Sequence, residues 1–409
     1  MKKNEKLIIY IKKKALFKHL KKKKKRNLSK SKFLIKTIII FFLSILFSRL
    51  IKTINEIEVF KIQQFFTTKI RTNSILLFEK NYFHYECTPG FVKYFLDLGF
   101  NVDIIMTEIG NETFIFFEKT KKLRFFKLND SIYYTSDEYI EKFRKIFTKY
   151  LAILVQTMTP DINKFYNNTN LLKGKNSIFV YHYHPEMPWI DFHNKFRSWT
   201  LLNFTNLALG VNPHYFGKIK SRNKNIITRF FIASTPLRNY DKLIYSCDKL
   251  NNENFKFQII VTGRNKILSE GKIPTNIKDK FVFNHFLSYL DLMKVMETID
   301  FIIITLEQNN PGDITYINGR STGSAQLSYG FLKPCLINSY FSKTYGMNNE
   351  NSLIFNDSKD SLYFAMRDAI MMTNKEYKKK QYHLKKYADK LYEISKKNVK
   401  TTINYILNS

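Results

Sequence analysis

Histidine and carboxylate side chains, which serve most often as general acids and bases, are concentrated at two places in the first half of the chain. The first place holds His84 and Glu86, and the second holds His184 with His182 and Glu186 on either side. His84, Glu86 and His184 have the chemistry to orient a substrate hydroxyl or to remove its proton. His182 and Glu186 would then help to recognise that substrate.

Each of these places also has a structural interpretation. Glu86 and Thr88 could simply cap the helix that follows them. The two histidines and the glutamate of the second place resemble a metal-binding cluster. Pro185 predicts a loop there, however, and a loop does not hold both histidines on one face as a strand would. Metal binding, substrate recognition and a purely structural role all stay open for this second place.

Residue types that bind phosphate are concentrated in the second half of the chain. Three cations follow predicted strands there, namely Arg238, Arg264 and Lys266. Arginine pairs with phosphate through two parallel hydrogen bonds, so this placement suits a diphosphate. Small and hydroxyl residues at the start of a predicted helix would add free backbone N–H groups: Ser321, Thr322, Gly323 and Ser324. The alternatives are surface charges for the cations and an ordinary helix cap for the hydroxyl residues.

From residue 74 onward, short apolar runs alternate with amphipathic stretches, and this alternation is typical of parallel α/β sheets. In the first half the predicted strands are 74–79, 101–106, 152–156, 177–181 and 207–210, with helices at 91–98 and 137–150. The first helix should end at Gly99. In the second half the predicted strands are 226–233, 255–261, 281–283, 301–305 and 335–338, with helices at 239–250, 289–297, 324–329, 358–372 and 376–406. Ligands of such sheets bind beyond the carboxyl ends of the strands, where the residues described above occur.

The segment 211–222 has turn residues and little periodicity, so it predicts a linker between two domains. We therefore assign 73–212 to a first Rossmann-like domain, 223–375 to a second, and 376–409 to a terminal helix. Two such domains facing each other would bind substrates in the cleft between them.

The order of elements in the second half resembles the nucleotide-sugar-binding domain of glycosyltransferases with the GT-B fold, of the group 1 or family 4-like type. The resemblance rests on the basic residues after two strands and on the helix that opens beside them. It rests also on the turn Gly330-Phe-Leu-Lys-Pro334, which leads to the next strand. It is close over 225–375 and looser over 74–215.

The resemblance implies an enzyme that transfers a hexose or similar sugar from a nucleotide-diphosphate donor to a cell-surface glycan or lipid-linked acceptor. It implies that the second domain binds the donor, that the first binds the acceptor, and that the terminal helix packs back across the cleft. It also implies no bound metal and no other cofactor, because helix dipoles and basic side chains hold the donor phosphates. Many retaining members bind the ribose through a glutamate whose position is Ala325 here, and Glu307 is the only glutamate nearby.

Residues 1–72 form a lysine-rich extension with 18 lysines and 3 arginines against 3 glutamates, within a net charge of +33 for the chain. Such an extension is attracted to anionic surfaces. The apolar segment 33–51 has only twelve residues between Lys36 and Arg49, fewer than the ~20 of a spanning helix. We expect this segment to lie in the cytoplasmic interface of an anionic membrane, as a peripheral or monotopic element. The alternatives are a single N-terminal membrane span and a tail that packs on the folded domain.

Other classes of protein are disfavoured. The sequence contains no P-loop, no dinucleotide-binding glycine motif and no serine-hydrolase elbow. Cys87, Cys247 and Cys335 are scattered, so we expect small buried side chains rather than disulfides or a zinc site. We expect no nucleic-acid partner, because the clustered lysines lack interleaved aromatic residues. The first alternative is a catalytically inactive, membrane-associated scaffold of the same fold, and the second, which the sequence favours less, is a basic nucleic-acid-binding protein.

Overall fold

The computed structural model describes residues 39–46, 49–50, 53, 56–57, 70–79, 87–107, 120–128, 147–158, 176–181, 198–201, 208–209, 219, 222, 227–234, 238–263, 273–284, 287–317 and 322–409. By its internal contacts the chain forms two compact units, Met1–Lys61 and Ile62–Ser409. Each unit has its own character.

The first unit contains helical residues at 39–46, whose large apolar side chains point mostly to solvent. Phe41 is 62% exposed and Leu46 is 61% exposed. The lysine run that precedes residue 39 lies outside the described residues. Among the helices of the described ranges, none combines the length and the apolar character needed to cross a bilayer.

The second unit contains a first sheet of seven parallel strands in the order β3-β2-β1-β4-β5-β6-β7. These strands are β1 Ser74–Glu79, β2 Asn101–Thr107, β3 Leu123–Leu128, β4 Ala152–Met158, β5 Ser177–Tyr181, β6 Ser198–Leu201 and β7 Ala208–Leu209. Helix α1, Thr88–Asp97, buries Phe91 and Phe95 in the core of this sheet. As predicted, the helix ends just before Gly99, whose φ of 89° favours glycine.

A second sheet of six parallel strands follows, in the order β10-β9-β8-β11-β12-β13. Its strands are β8 Thr228–Ser234, β9 Phe257–Gly263, β10 Phe281–Asn284, β11 Phe301–Ile304, β12 Cys335–Asn338 and β13 Leu353–Phe355. The helices are α2 Asp241–Asn252, α3 Tyr289–Thr298, α4 Pro311–Ile314, α5 Gly323–Phe331, α6 Ser339–Ser342, α7 Ser361–Met371 and α8 Asn374–Leu407, with 3₁₀ turns at Thr275–Lys280 and Lys343–Tyr345.

Both sheets contain the strand order 3-2-1-4-5-6 of the Rossmann fold, since in each the second and third strands lie on one side of the first strand and the fourth lies on the other. Parallel strands covered by helices on both faces are buried on both faces and are mostly apolar. Every residue of β1 and of β11 is accordingly buried. The predicted fold class of two Rossmann-like domains is therefore confirmed. The domain boundary predicted between β7 and β8 stays a prediction.

The sequence pattern does not predict β3, β6 and β13, and β3 shows a physical reason. This edge strand contains Arg124, which donates through Nε to the carboxylate of Asp103 at 2.7 Å. Asp103 is fully buried in β2 and also accepts from Arg71 at 2.6 Å and from the hydroxyl of Tyr150 at 2.7 Å. A tertiary ion-pair network therefore holds a strand whose own sequence is only partly apolar. Most of the helix predicted at 137–150 lies outside the described residues.

The three cysteines are buried and form no disulfide, as predicted. Burial raises the pKa of the Cys247 thiol and raises the pKa of the Cys335 thiol to about 12. These two side chains therefore stay protonated and unreactive near neutral pH.

Helix α8 packs into the cores of both sheets. It begins with a reciprocal capping box between Thr373 and Glu376. Its buried residues recur at intervals of three or four, which places them on one stripe. The first half of the stripe contributes Leu384 and Leu391 to a core on the second sheet, and the last turns contribute Ile403 to the core of the first sheet. This single helix therefore stabilises the packing of both domains.

Truncating this stripe should destabilise the protein. Ile403→Ala should lower the free energy of unfolding by ~2–4 kcal/mol, because a buried isoleucine would leave a cavity, and Ile403 is only 1% exposed. Ile394→Ala on the same helix is the matched control, since Ile394 is 47% exposed and should cost about 0.5 kcal/mol or less. Urea unfolding followed by circular dichroism measures both variants. Equal losses would contradict the role assigned to the stripe.

Candidate functional site

The strand order of the second sheet reverses at β8, which lies between β9 and β11. In a sheet of this order, the connections after the neighbouring strands β8 and β11 run toward opposite faces of the sheet. A crevice therefore opens at the carboxyl ends of β8 and β11. The residues that follow β8 and β11 therefore occupy the position where ligands of this fold bind. Predicted phosphate-binding residues follow both strands.

Helix α5 comes after β11 and the short helix α4, and it connects them to β12, so its N-terminus lies at this edge. Thr322 is the N-cap residue and makes no side-chain capping hydrogen bond, while Gly323 and Ser324 form the start of the first turn. Within the described ranges, nothing accepts a hydrogen bond from the amides of Gly323 and Ser324. Among the described residues beyond its two chain neighbours, no atom lies within 4 Å of a Cβ added to Gly323, so this part of the structure leaves the space beside the amide open. Thr322, Gly323 and Ser324 are three of the four residues predicted to bind phosphate at the start of this helix. The fourth, Ser321, lies outside the described residues.

Arg238 lies at the same edge, shortly after the end of β8. Its Nη1 donates to the carboxylate of Asp313 and to the carbonyl oxygen of Thr305, the latter at 3.4 Å. The guanidinium carbon also lies 4.8 Å from the ring centre of Tyr316. The side chains of Arg238 and Asp313 are only 9% and 4% exposed. A nearly buried ion pair and an aromatic ring therefore fix the orientation of this predicted phosphate-binding cation.

A second group of polar side chains surrounds Glu307 at this edge. The amide of Glu307 donates to the second carboxylate oxygen of Asp313 at 3.0 Å. Partial burial raises the pKa of Glu307 above its ordinary value, and the charge of Lys242 opposes that rise. Lys242 also pairs with Asp357 at 3.1 Å, and Asn338 donates to the same carboxylate at 2.8 Å. Cations and carboxylates thus alternate along the carboxyl ends of β8, β11, β12 and β13, as suits a polar ligand.

Sequence reasoning did not single out Asp313, Asn338 or Asp357. Asn338 is the last residue of β12, so its position as a polar residue at the end of a predicted strand was a signal in the sequence. Asp357 follows β13, a strand of only three residues that the pattern does not predict. Asp313 lies in the four-residue helix α4, which is too short to produce a periodic pattern.

The other predicted site residues lie outside the described residues: His84, Glu86, His182, His184, Glu186, Arg264, Lys266 and Ser321. All of these residues except Ser321 follow shortly after the end of one of three strands. β1 ends at Glu79, β5 ends at Tyr181 directly before the second histidine cluster, and β9 ends at Gly263 directly before Arg264. Their roles stay predictions.

Metal binding has no support in the part of the chain that the structure describes. There, no group of three or more His, Cys, Asp or Glu side chains could hold a metal ion. Since the second histidine cluster lies outside those ranges, the expectation that no metal is bound stays a prediction.

Comparison with known proteins adds a likeness of fold. No protein-family model and no curated protein matches this sequence. A glycosyltransferase from Rickettsia africae superposes with a TM-score of 0.50 at 13% identity, over 83% of this chain and 100% of the other. HepE from Anabaena, solved in complex with UDP, gives 0.49 at 11% identity over 80% and 99% of the two chains. Sucrose-phosphate synthase from Thermosynechococcus elongatus gives 0.48 at 10% identity over 79% and 96%.

At such low identity the likeness concerns the fold alone. The two sheets of the chain have the Rossmann strand order, and the first of these superpositions covers the whole of a solved glycosyltransferase. The chain therefore has the GT-B fold of glycosyltransferases.

Proposed function

We propose that the chain is a glycosyltransferase that moves a hexose or similar sugar from a nucleotide-diphosphate donor to a cell-surface glycan or lipid-linked acceptor. The observation that carries this proposal is the open N-terminus of α5 at the switch point of the second sheet. The anchored guanidinium of Arg238 at the same edge and the GT-B fold support it.

The donor diphosphate would bind at the first turn of α5. The free amides of Gly323 and Ser324 would donate to phosphate oxygens, and the helix dipole favours negative charge at this end. The remaining N–H groups of Arg238, with Arg264 and Lys266 after β9, would add charge-assisted hydrogen bonds. Negative charge develops on the diphosphate as the sugar departs, so these donors would stabilise the transition state more than the bound substrate. No metal or other cofactor takes part in this proposal.

The acceptor would bind to the first domain. His84, Glu86 and His184 are proposed to orient the acceptor hydroxyl or to take its proton as its oxygen bonds to the sugar. His182 and Glu186 are proposed to recognise the rest of the acceptor. The sequence positions of these residues, after β1 and after β5, support this division of roles.

The N-terminal extension is proposed to hold the enzyme on the cytoplasmic face of an anionic membrane, as a peripheral or monotopic element. The lysine run would bind lipid headgroups, and the exposed apolar side chains at 39–46 would enter the interface. Stable attachment usually takes two such signals, because each alone is weak.

The donor site can be tested at Gly323. The wild-type protein should slowly hydrolyse at least one member of a panel of nucleotide-diphosphate sugars. Gly323→Val should abolish this turnover because its side chain would fill the space beside the amide, and Gly323→Ala should have a smaller effect. The melting temperature should stay within a few degrees, since an added Cβ would contact no atom of the described residues.

Two outcomes of this assay would contradict the account. Hydrolysis that survives in Gly323→Val would place the phosphate site elsewhere. A wild-type protein that neither binds nor hydrolyses any member of the panel would favour the inactive scaffold.

The acceptor residues can be separated from the donor residues by kinetics. His84→Ala, Glu86→Gln and His184→Ala should each lower the rate of transfer more than the affinity for the donor, measured by calorimetry. His383→Ala on α8 is the control and should leave both unchanged, because its imidazole lies 3.6 Å from the carboxylate of Glu350, which precedes β13 and so lies at the opposite end of that strand from the proposed site. A variant that loses donor affinity instead would show that the roles of the two domains are reversed.

The extension can be tested by deletion. A protein lacking residues 1–52 should move from salt-washed membranes to the soluble fraction and stay active, because the first sheet begins only at Ser74. In intact cells the C-terminus of the full chain should be protected from added protease. Digestion of the C-terminus from outside would contradict the cytoplasmic location.

A further inference from the structure

Helix α8 buries one stripe and presents a strongly basic face to solvent. Tyr382 lies on this face and is 64% exposed. Exposed lysines stand three and four residues before and after it, which places them beside it on a helix: Lys378, Lys379, Lys385 and Lys386. We call these five residues, together with the exposed Lys375, Lys397 and Lys400 on the same side, the α8 basic face.

Most of the charge on this face is not neutralised locally. Lys385 pairs with Asp389 at 2.5 Å. Lys378, Lys379 and Lys386 have no carboxylate partner among the described residues. Like charges spaced three or four residues apart weaken a helix, so this arrangement is not explained by the stability of α8. An anionic partner would account for it.

We propose that the α8 basic face docks on an anionic lipid surface, as an attachment site separate from the N-terminal extension. Helix α8 has 34 residues and is therefore about 50 Å long. A row of charges along such a helix fits the plane of a headgroup layer. Tyrosine is enriched at the membrane–water interface, and a long lysine side chain can keep its ammonium group among the headgroups. Leu407, which is 55% exposed, lies near the end of the same side.

A nucleic acid is the rival partner for any basic face. Proteins that bind single strands stack successive bases on aromatic side chains. Tyr382 is the only exposed aromatic residue of α8, since Tyr387, Tyr392 and Tyr405 are partly buried and Tyr377 is fully buried. One ring cannot form a stacking platform, so the lipid surface is the better match.

The buried cysteines make a site-specific test possible. Because Cys87, Cys247 and Cys335 are all buried, Tyr382→Cys in the full-length protein gives one reactive site for an environment-sensitive fluorophore. Thr275→Cys gives a control label, because Thr275 is exposed in the 3₁₀ turn Thr275–Lys280, whose Ile277 packs in the core that contains α2 and α7. Each labelled protein is titrated with phosphatidylglycerol-containing vesicles, with phosphatidylcholine vesicles and with a single-stranded RNA.

The label at position 382 should brighten and shift to the blue with anionic vesicles only, and the label at 275 should not respond. Adding Lys378→Glu and Lys386→Glu should raise the lipid concentration for half-response about 25-fold or more, since each lysine contributes about fivefold near such a surface. The charge-matched pair Lys256→Glu and Lys278→Glu, at exposed lysines before β9 and β10, should leave the response in place. Added salt should weaken the fluorescence response to anionic vesicles, because salt screens the exposed charges.

Several results would overturn the proposal. Vesicle binding of the full chain without a response at position 382 would assign attachment to the extension alone. A response to RNA and not to vesicles would make the partner a nucleic acid. An equal response to neutral vesicles, or no effect of the charge reversals at 378 and 386, would remove the role of the lysines. None of these results depends on catalysis, so they leave the proposed function untouched.

Discussion

The parallel pairing of β8 with both β9 and β11 decides where the second domain can bind a ligand. In a sheet of this strand order, a crevice opens at the carboxyl ends of the strands where the order reverses. Helix α5 begins there, and its first amides cannot have acceptors within their own helix. Among the residues that the structure describes, no side chain fills the space beside Gly323.

A second constraint, the free-energy cost of burying a charge, determines the position of Arg238 at this edge. Arg238 and Asp313 are nearly inaccessible to water, and each would be strongly unfavourable there without the other. The carboxylate of Asp313 also accepts from the amide of Glu307. The loop between β11 and α5 is therefore tied to the end of β8 by one guanidinium, so that the positions of the cation and of the loop are determined together.

The sequence predicted five of the six strands of the second sheet, because those strands are short apolar runs between amphipathic helices. Even β12, Cys335–Asn338, has the predicted bounds. The pattern failed where a local segment owes its structure to distant residues, as β3 does to the pairing of Arg124 with Asp103. It failed also for elements of three or four residues, such as β13 and α4. For the candidate site, Arg238 and Gly323 could be predicted as phosphate-binding residues because they follow a predicted strand and begin a predicted helix, respectively. The partner of Arg238 could not be found in this way, because Asp313 is 75 residues away in the chain.

Amide hydrogen exchange at the start of α5 tests the central claim most directly. In the free protein the amides of Gly323 and Ser324 have no described acceptor and should exchange rapidly. A saturating nucleotide-diphosphate sugar, chosen from those the protein hydrolyses, should slow exchange in a peptide that spans residues 322–326. The same nucleotide-diphosphate sugar should leave the exchange rate of a peptide within α8 unchanged. Slowed exchange elsewhere, with no change at 322–326, would contradict the claim that the N-terminus of α5 holds the donor diphosphate.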